Sequence, residues 1–394
     1  MDDRLAFLRL KPSSDPPIPI PIPSVFEHRT LNAQGKVELQ YWPARQGFEG
    51  PPAHFILFIL GNPGLLNYYV PFLNHLHCLL PSTHAILSAS HIGHSPSLPA
   101  PSESLDLQVH LEAKSELVRA IRVTLGTWGH GPRSRFALMG HSVGAWFLRE
   151  VMKREPEGYI DAGYMLFPTR GWLADTWNGR TLWPIFRRIP RPLIPYLSAL
   201  LHPVLSLTTF PPTTLSLFPS SAVIRHCLGL GKSEMDHIKE PDLEWLRSQR
   251  PDERSRGLFA LYAEVNLDGW IAHPPSTATD LLATCTDSCA KPVYDSGGSE
   301  CLRCSSPLTP YFGDFDTREA EHPNGPDRGV FEDAWQAMAG WLSRASSDPV
   351  DDLEEIAQKV KPDWKPFNPT LAGRLGIYPG KGTKEDPIDL TVDD

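Results

Sequence analysis

With 394 residues, 41% of them hydrophobic, the chain is long enough for one large α/β domain with insertions or for two ordinary ones. A net charge of −9 argues against a general nucleic-acid surface, and six cysteines are too few for a disulfide scaffold at this length. The 41 prolines are about twice the usual share and they cluster, which marks long irregular segments.

The start, "MDDRLAFLRLKPSSDPP", has two acids and a short apolar patch where a signal peptide would carry basic residues and a continuous apolar core, so a reducing, cytosol-facing compartment is expected. Residues 1–27 include "PPIPIPIP" and read as an extended, poorly packed arm. Residues 28–44 alternate apolar and polar about a glycine turn, the pattern of a hairpin. "HFILFIL" (54–60) is apolar at every position after the first, which suits a strand buried on both faces of a parallel sheet. "GNPG" (61–64) ends it, and 68–80 reads as an amphipathic helix. A second buried strand over 84–90, a long helix over 105–128, a third strand over 135–140, a helix to about Arg154 and a fourth strand over 159–168 follow. This alternation predicts a doubly wound, mostly parallel α/β sheet.

The core is therefore expected to be split. Residues 28–168 supply its first part, and 307–345, with a late strand at 307–316 and a final helix at 329–345, supply the second. Between them lie an apolar insertion (169–265) and an irregular Cys-containing loop (266–306). Residues 346–394 are polar and rich in Pro and Gly, the composition of a disordered tail.

The third strand runs into Gly140-His141-Ser142-Val143-Gly144 and then a helix. Gly-x-Ser-x-Gly between a buried strand and a helix is the nucleophile-elbow signature, in which a tight turn raises one hydroxyl above the sheet. The following helix aims its N-terminus at that hydroxyl and favours negative charge there. The Val143 N–H would form half of an oxyanion hole. GNPG follows the strand at 54–60, where such folds place the loop carrying the second donor. Pro63 has no N–H, so Asn62 is the candidate, and Gly61 and His141 would line the site beside it. His91 and His94 lie at a neighbouring strand end. Without a third ligand they read as a loop-structuring pair or a contact to substrate, and no metal is expected there. No G-x-G-x-x-G follows a strand and no P-loop occurs, so no cofactor is expected.

Four stretches in this order, "FILGNPGLLNYYVPFLNHL", "SASHIGHSPS", "LMGHSVGAWFL" and "YMLFPTRGWLADTWNGR", resemble the lipid droplet-associated hydrolase family over most of residues 55–180. The resemblance implies an α/β-hydrolase fold and a Ser–Asp–His triad. It also implies lipid ester substrates, sterol or acylglycerol, a part in lipid storage, and residence on the cytosolic face of lipid droplets or the endoplasmic reticulum. Ser142 matches the nucleophile, and Asp316, at the end of "YFGDFD", matches the acid. The base departs from the pattern. The one histidine after Asp316 is His322, six residues on, too close for a helix and a strand to intervene. Either the base is lost or displaced, or a histidine-bearing segment within 276–330 is absent from this sequence. A catalytically weak hydrolase-fold protein that organises the droplet surface is the alternative reading.

The insertion contains 33 residues, 192–224, without Asp, Glu, Lys or Arg, preceded by Arg187, Arg188 and Arg191. Six prolines between Pro192 and Pro219 speak against one straight membrane span and for a monotopic hairpin or interfacial helices over 181–224. Two weaker patterns remain. Cys285, Cys289, Cys301 and Cys304 have a spacing that would suit a structural zinc. "DPIDLTVDD" (386–394) resembles a SUMO-interacting motif, which adds a strand to its partner's sheet edge.

Overall fold

The computed structural model describes residues 2–9, 21–45, 50–128, 133–169, 171, 173–187, 190–207, 212–249, 257–263 and 301–304. In chain order the strands and helices are β1 (Ile22–Arg29), β2 (Gln34–Trp42), β3 (His54–Ile59), α1 (Val70–Leu79), β4 (His84–Ala89), α2 (Leu107–Gly126), β5 (Arg135–His141), α3 (Val143–Arg154) and β6 (Ala162–Leu166). Helices α4 (Trp177–Phe186), α5 (Pro190–Leu205), α6 (Pro212–Leu217), α7 (Ser221–His237) and α8 (Leu243–Ser248) follow, and then strands β7 (Gly257–Ala263) and β8 (Cys301–Cys304).

The eight strands form one sheet in the order β1-β2-β4-β3-β5-β6-β7-β8. The β1–β2 and β2–β4 pairings are antiparallel, and every pairing from β4 to β8 is parallel. That order and direction are those of the α/β-hydrolase fold.

All six residues of β3 are buried, as are those of β4. Alternation along β3 explains why. Phe55, Leu57 and Ile59 join a cluster with Leu111, Leu117, Val118 and Ile121 of α2 and with Phe147, Leu148 and Val151 of α3. Ile56, Phe58 and Leu60 face the opposite way, into a second cluster with Phe72, Leu73 and Leu76 of α1. Each face of the strand has its own helix layer, which is why β3 is apolar at every position after His54.

β3 lies between β4 and β5. The chain leaves β3 through α1 to reach β4 on one side, then returns through α2 to β5 on the other. Such a reversal opens a crevice at the carboxyl ends of the strands. The register sets Ile59 opposite Gly140, so residues just beyond both strand ends emerge side by side.

Four expectations need correction. The arm at 1–27 is packed at both ends: Asp3–Arg9 forms a 3₁₀ segment with Leu5 and Leu8 fully buried, and β1 begins at Ile22 rather than at 28. Pro23 is tolerated because β1 is an edge strand with one row of main-chain groups unpaired. Glu116 of α2 fastens this region, accepting from Arg4 at 2.5 Å and His28 Nδ1 at 2.9 Å. Burial alone would raise the Glu116 carboxyl, but those two hydrogen bonds outweigh it and bring it down to about 2. The insertion at 169–265 is not all cap, since its far end is β7, and the loop at 266–306 contains β8. The fourth strand is shorter than 159–168, covering Ala162–Leu166. The strand at 307–316, the helix at 329–345 and the tail lie outside the described residues.

Leu8→Ala is expected to lower the unfolding free energy by about 2–4 kcal/mol in a urea titration, the cost of an unfilled core position. A loss below about 0.5 kcal/mol would place the 3₁₀ segment outside the core.

Candidate active site

Ser142 sits between β5 and α3 with φ 55° and ψ −122°, a left-handed conformation that a residue with a β-carbon rarely adopts. Neighbouring backbone holds it there. The Ser142 N–H donates to the Leu166 carbonyl at 3.0 Å, and the Ser142 carbonyl accepts from Ala145 at 3.0 Å and Thr169 at 3.3 Å. The two glycines of the motif are required by close approach. A β-carbon on Gly140 would lie 2.4 Å from the Gly144 oxygen, and one on Gly144 would lie 2.2 Å from the Ile59 oxygen. The elbow is therefore pressed against the end of β3.

That contact brings the GNPG loop to the serine. A β-carbon on Gly61 would stand 3.1 Å from the Ser142 β-carbon and 2.9 Å from His141 Nδ1. The Gly61 N–H is occupied, donating to the Tyr69 hydroxyl at 3.0 Å, which also meets His141 Nδ1 at 3.1 Å. Pro63 has no N–H to offer. The backbone N–H groups of Asn62 and Val143 have no acceptor among the described residues. The Asn62 side chain is engaged with the cap, its Nδ2 donating to the Cys227 carbonyl and to Glu234 Oε1, both at 3.0 Å.

His91 and His94 are buried and hold this loop by its carbonyls. His91 Nε2 donates to Leu60 O at 3.1 Å and His94 Nδ1 to Pro63 O at 2.6 Å, the rings meeting edge to face at 5.2 Å. Burial pushes His94 down to about 3, with the proton acceptor Pro63 and the neighbouring positive groups as lesser influences, and pushes His91 well below its ordinary value. Burial likewise brings His141 down to about 3. All three rings are neutral at ordinary pH and act as fixed donors and acceptors.

Three residues of this site were given no role by the sequence. Thr169 follows β6 in the "FPTR" stretch, and its Oγ1 is the hydrogen-bond partner of Ser142 Oγ among the described residues, at 3.3 Å. Phe167, two residues earlier, has φ 46° and turns the chain back over the elbow. Glu234 is buried on α7, 172 positions from the Asn62 it binds. Burial raises its carboxyl to about 8, and the hydrogen bond from Asn62 offsets only part of that.

Asp316 and His322 lie outside the described residues, as do Cys285 and Cys289. Cys301 and Cys304 are the ends of β8. Among the described residues no three His, Cys, Asp or Glu side chains are arranged to hold a metal ion.

Helices α4 to α7 stand over this end of the sheet, whereas α8 lies by the far end of α3, where Lys153 meets Asp242 and the Trp245 ring. α7 packs on α4 and α5, and Tyr68 beside α1 meets Thr214 of α6 at 2.9 Å. Along α5, Leu193, Leu197, Leu200 and Val204 are exposed at i, i+4, i+7 and i+11, flanked by Tyr196 and Leu201, while Pro195 is buried on the other side. No helix among the described residues is long and apolar enough to cross a membrane.

The buried histidines predict an acid limb in stability. His94 ionises near 6.5 when unfolded but only near 3 when folded, so its contribution is complete above pH 6.5 and is lost as pH falls toward 3. Urea titrations should show about 2 kcal/mol lost through this residue between pH 7.5 and pH 5. His94→Asn, which keeps a donor near Pro63, should remove that share of the slope; an unchanged slope would show that His94 is not held neutral.

Comparison with known proteins places the chain in a family. The family model described as lipid-droplet associated hydrolase matches residues 52–297. The lipid droplet-associated hydrolase of Pongo abelii is 30% identical over 143 residues, covering 34% of this chain and 43% of that protein. The Homo sapiens protein of the same name is 29% identical with the same coverage, so the chain spans under half the length of these curated relatives. Among solved structures, an esterase of Pyrococcus furiosus superposes with a TM-score of 0.43 at 10% identity, covering 82% of this chain and 90% of that one. The family model covers more than half of the chain, which therefore belongs to the lipid-droplet associated hydrolase family.

Proposed function

We propose that the chain is a serine hydrolase of lipid esters that works on the surface of lipid droplets. The observation that carries this reading is Ser142: a hydroxyl on a left-handed turn, at the N-terminus of α3 and directly beside the Gly61 loop. In this reading Ser142 Oγ attacks the ester carbonyl carbon while a base takes its proton. The carbonyl oxygen becomes an oxyanion and receives the N–H groups of Asn62 and Val143. Collapse breaks the bond to the alcohol, which leaves with the proton, and water repeats the sequence to free the acid and restore Ser142. Asp316 and His322 are the acid and base that the family pattern and the sequence offer. Thr169 would hold the Ser142 hydroxyl in place between turnovers.

The exposed stripe of α5 is assigned to a phospholipid monolayer. Its apolar side chains would enter the acyl region while Arg187 and Arg191 at its start meet phosphate heads, and residues 192–224 carry no formal charge to oppose entry. Lipid storage and the cytosolic face of droplets or endoplasmic reticulum follow as the setting. A second reading, a surface organiser on a retained hydrolase scaffold, is favoured by one observation in the sequence: the one histidine after Asp316 is His322, six residues on, too close for the expected helix and strand to intervene. The SUMO motif of the tail and a zinc at the cysteines stay as separate proposals, to be tested by binding of the 386–394 peptide and by metal content.

A fluorophosphonate probe should label the wild-type chain and not Ser142→Ala. Labelling that survives Ser142→Ala, or no labelling of either, would end the hydrolase reading. For the surface, Leu197→Asp with Leu200→Asp should reduce flotation with phospholipid-coated triolein droplets by about tenfold, since two buried leucines and two desolvated carboxylates are exchanged. Unaltered flotation would remove α5 from the contact. If the organiser reading holds instead, Ser142→Ala leaves droplet phenotype in cells intact while deletion of 181–224 abolishes it.

A further inference from the structure

The cap helix α7 presents one stripe to the GNPG loop. Cys227, Gly231 and Glu234 recur at i, i+4 and i+7 and so share a face. Asn62 lies along that face. Its Nδ2 donates to the Cys227 carbonyl and to Glu234 Oε1 at 3.0 Å each, and a β-carbon on Gly231 would lie 3.3 Å from the same nitrogen. The gap left by Gly231 admits the amide, and the two acceptors use both of its N–H bonds.

We propose that Glu234 is a positioning residue for the reaction: from α7, with the Cys227 carbonyl, it fixes the Asn62 side chain and so fixes the adjacent main-chain N–H at the place where the oxyanion forms. This rests on the serine hydrolase reading and adds to it a cap residue that touches neither substrate nor nucleophile. Backbone donors in such a hole act only within a few tenths of an ångström of the developing charge. The Gly61 N–H is already held by Tyr69, and Pro63 contributes none, so of these three residues Asn62 is the one with a main-chain N–H to offer. His91 and His94 grip the carbonyls of Leu60 and Pro63 from one side, and Glu234 grips the side chain of Asn62 from another.

The surroundings of Glu234 give the proposal a pH signature. Asn62 reaches it from the loop, and Cys227, on its own helix, has a thiol pushed up by burial and then by the charge of Glu234. Lys232 and Asp236 pair with each other on the opposite side of α7, and no cation pairs with Glu234 among the described residues. The carboxyl is therefore neutral up to about pH 8, and above that it is a stronger acceptor for Asn62 Nδ2, held at the cost of a buried charge with no cation beside it among the described residues.

The full chain, its Glu234→Gln and Glu234→Ala variants and Ser142→Ala are compared by the rate of fluorophosphonate labelling from pH 6 to 9.5. Turnover of a short-chain p-nitrophenyl ester and thermal unfolding are followed over the same range. Glu234→Gln, which keeps the acceptor and cannot ionise, should match the wild-type rate within about twofold below pH 8. Glu234→Ala should label about tenfold more slowly at every pH, with kcat reduced and KM little changed. In thermal unfolding Glu234 should contribute a loss of stability as pH rises from 6 to about 8, opposite in sign to the contribution of the buried histidines, because the folded carboxyl holds its proton and the unfolded one does not, and Glu234→Gln should remove that contribution relative to the wild type. A labelled wild type whose Glu234→Ala variant labels at the wild-type rate, or whose Glu234→Gln variant labels as slowly as Glu234→Ala, overturns the proposal alone. A wild type that takes no Ser142-dependent label overturns the hydrolase reading and the proposal with it.

Discussion

The site depends on one steric contact, the main chain of Gly144 resting against the carbonyls of Ile59 and Leu60. Two segments that are 84 residues apart in sequence, Leu60 to Gly144, meet there with no side chain between them. If the elbow stood off by the width of one methyl group, the Gly61 loop would no longer reach Ser142, and the N-terminus of α3 would point past it. The left-handed turn at Ser142 is a strained conformation that persists because this contact, together with the Leu166, Ala145 and Thr169 hydrogen bonds, leaves the backbone no alternative.

Around that contact the loop is held by polar groups rather than by apolar packing. Apolar contacts are non-directional and allow a loop to slide, whereas a buried hydrogen bond is lost within a fraction of an ångström. His91 and His94 bind carbonyls, Tyr69 binds an N–H, and α7 binds a side-chain amide, so that three elements each fix a different atom of four consecutive residues. Keeping several imidazoles neutral inside the protein costs stability in acid, and that cost is the counterpart of a loop whose donors are oriented before any substrate arrives.

The centre of the molecule was legible because its physics is local. Strands buried on both faces must be apolar at nearly every position, and β3, β4 and β5 are written that way. The elbow, the GNPG loop and α2 carry equally local signatures. The edges were not legible. β1 reads as a polyproline arm because an edge strand can include Pro23, which composition alone cannot distinguish from an extended tail. β7 is a short strand reached only after five helices, and nothing in its sequence says which sheet edge it joins. Thr169 and Glu234 are defined by what they touch across the fold, and a hydrogen bond spanning 172 positions leaves no periodicity behind it. The paired histidines were visible as a motif and read as a loop-structuring pair, but the carbonyls they bind, those of Leu60 and Pro63, carry no signal in the sequence.

The order of strands has a consequence for biosynthesis. Because β3 is flanked by β4 and β5, it gains its first neighbour early but waits for Arg135–His141 before its other side is covered. Until then a growing chain presents a six-residue apolar ribbon with its hydrogen-bonding groups unmatched, the kind of edge onto which other unfinished chains polymerise. Emergence of α2 ahead of β5 shields one face of that ribbon but leaves its rim open, so ribosome-bound chains halted between Gly126 and Arg135 would be the species most dependent on chaperones.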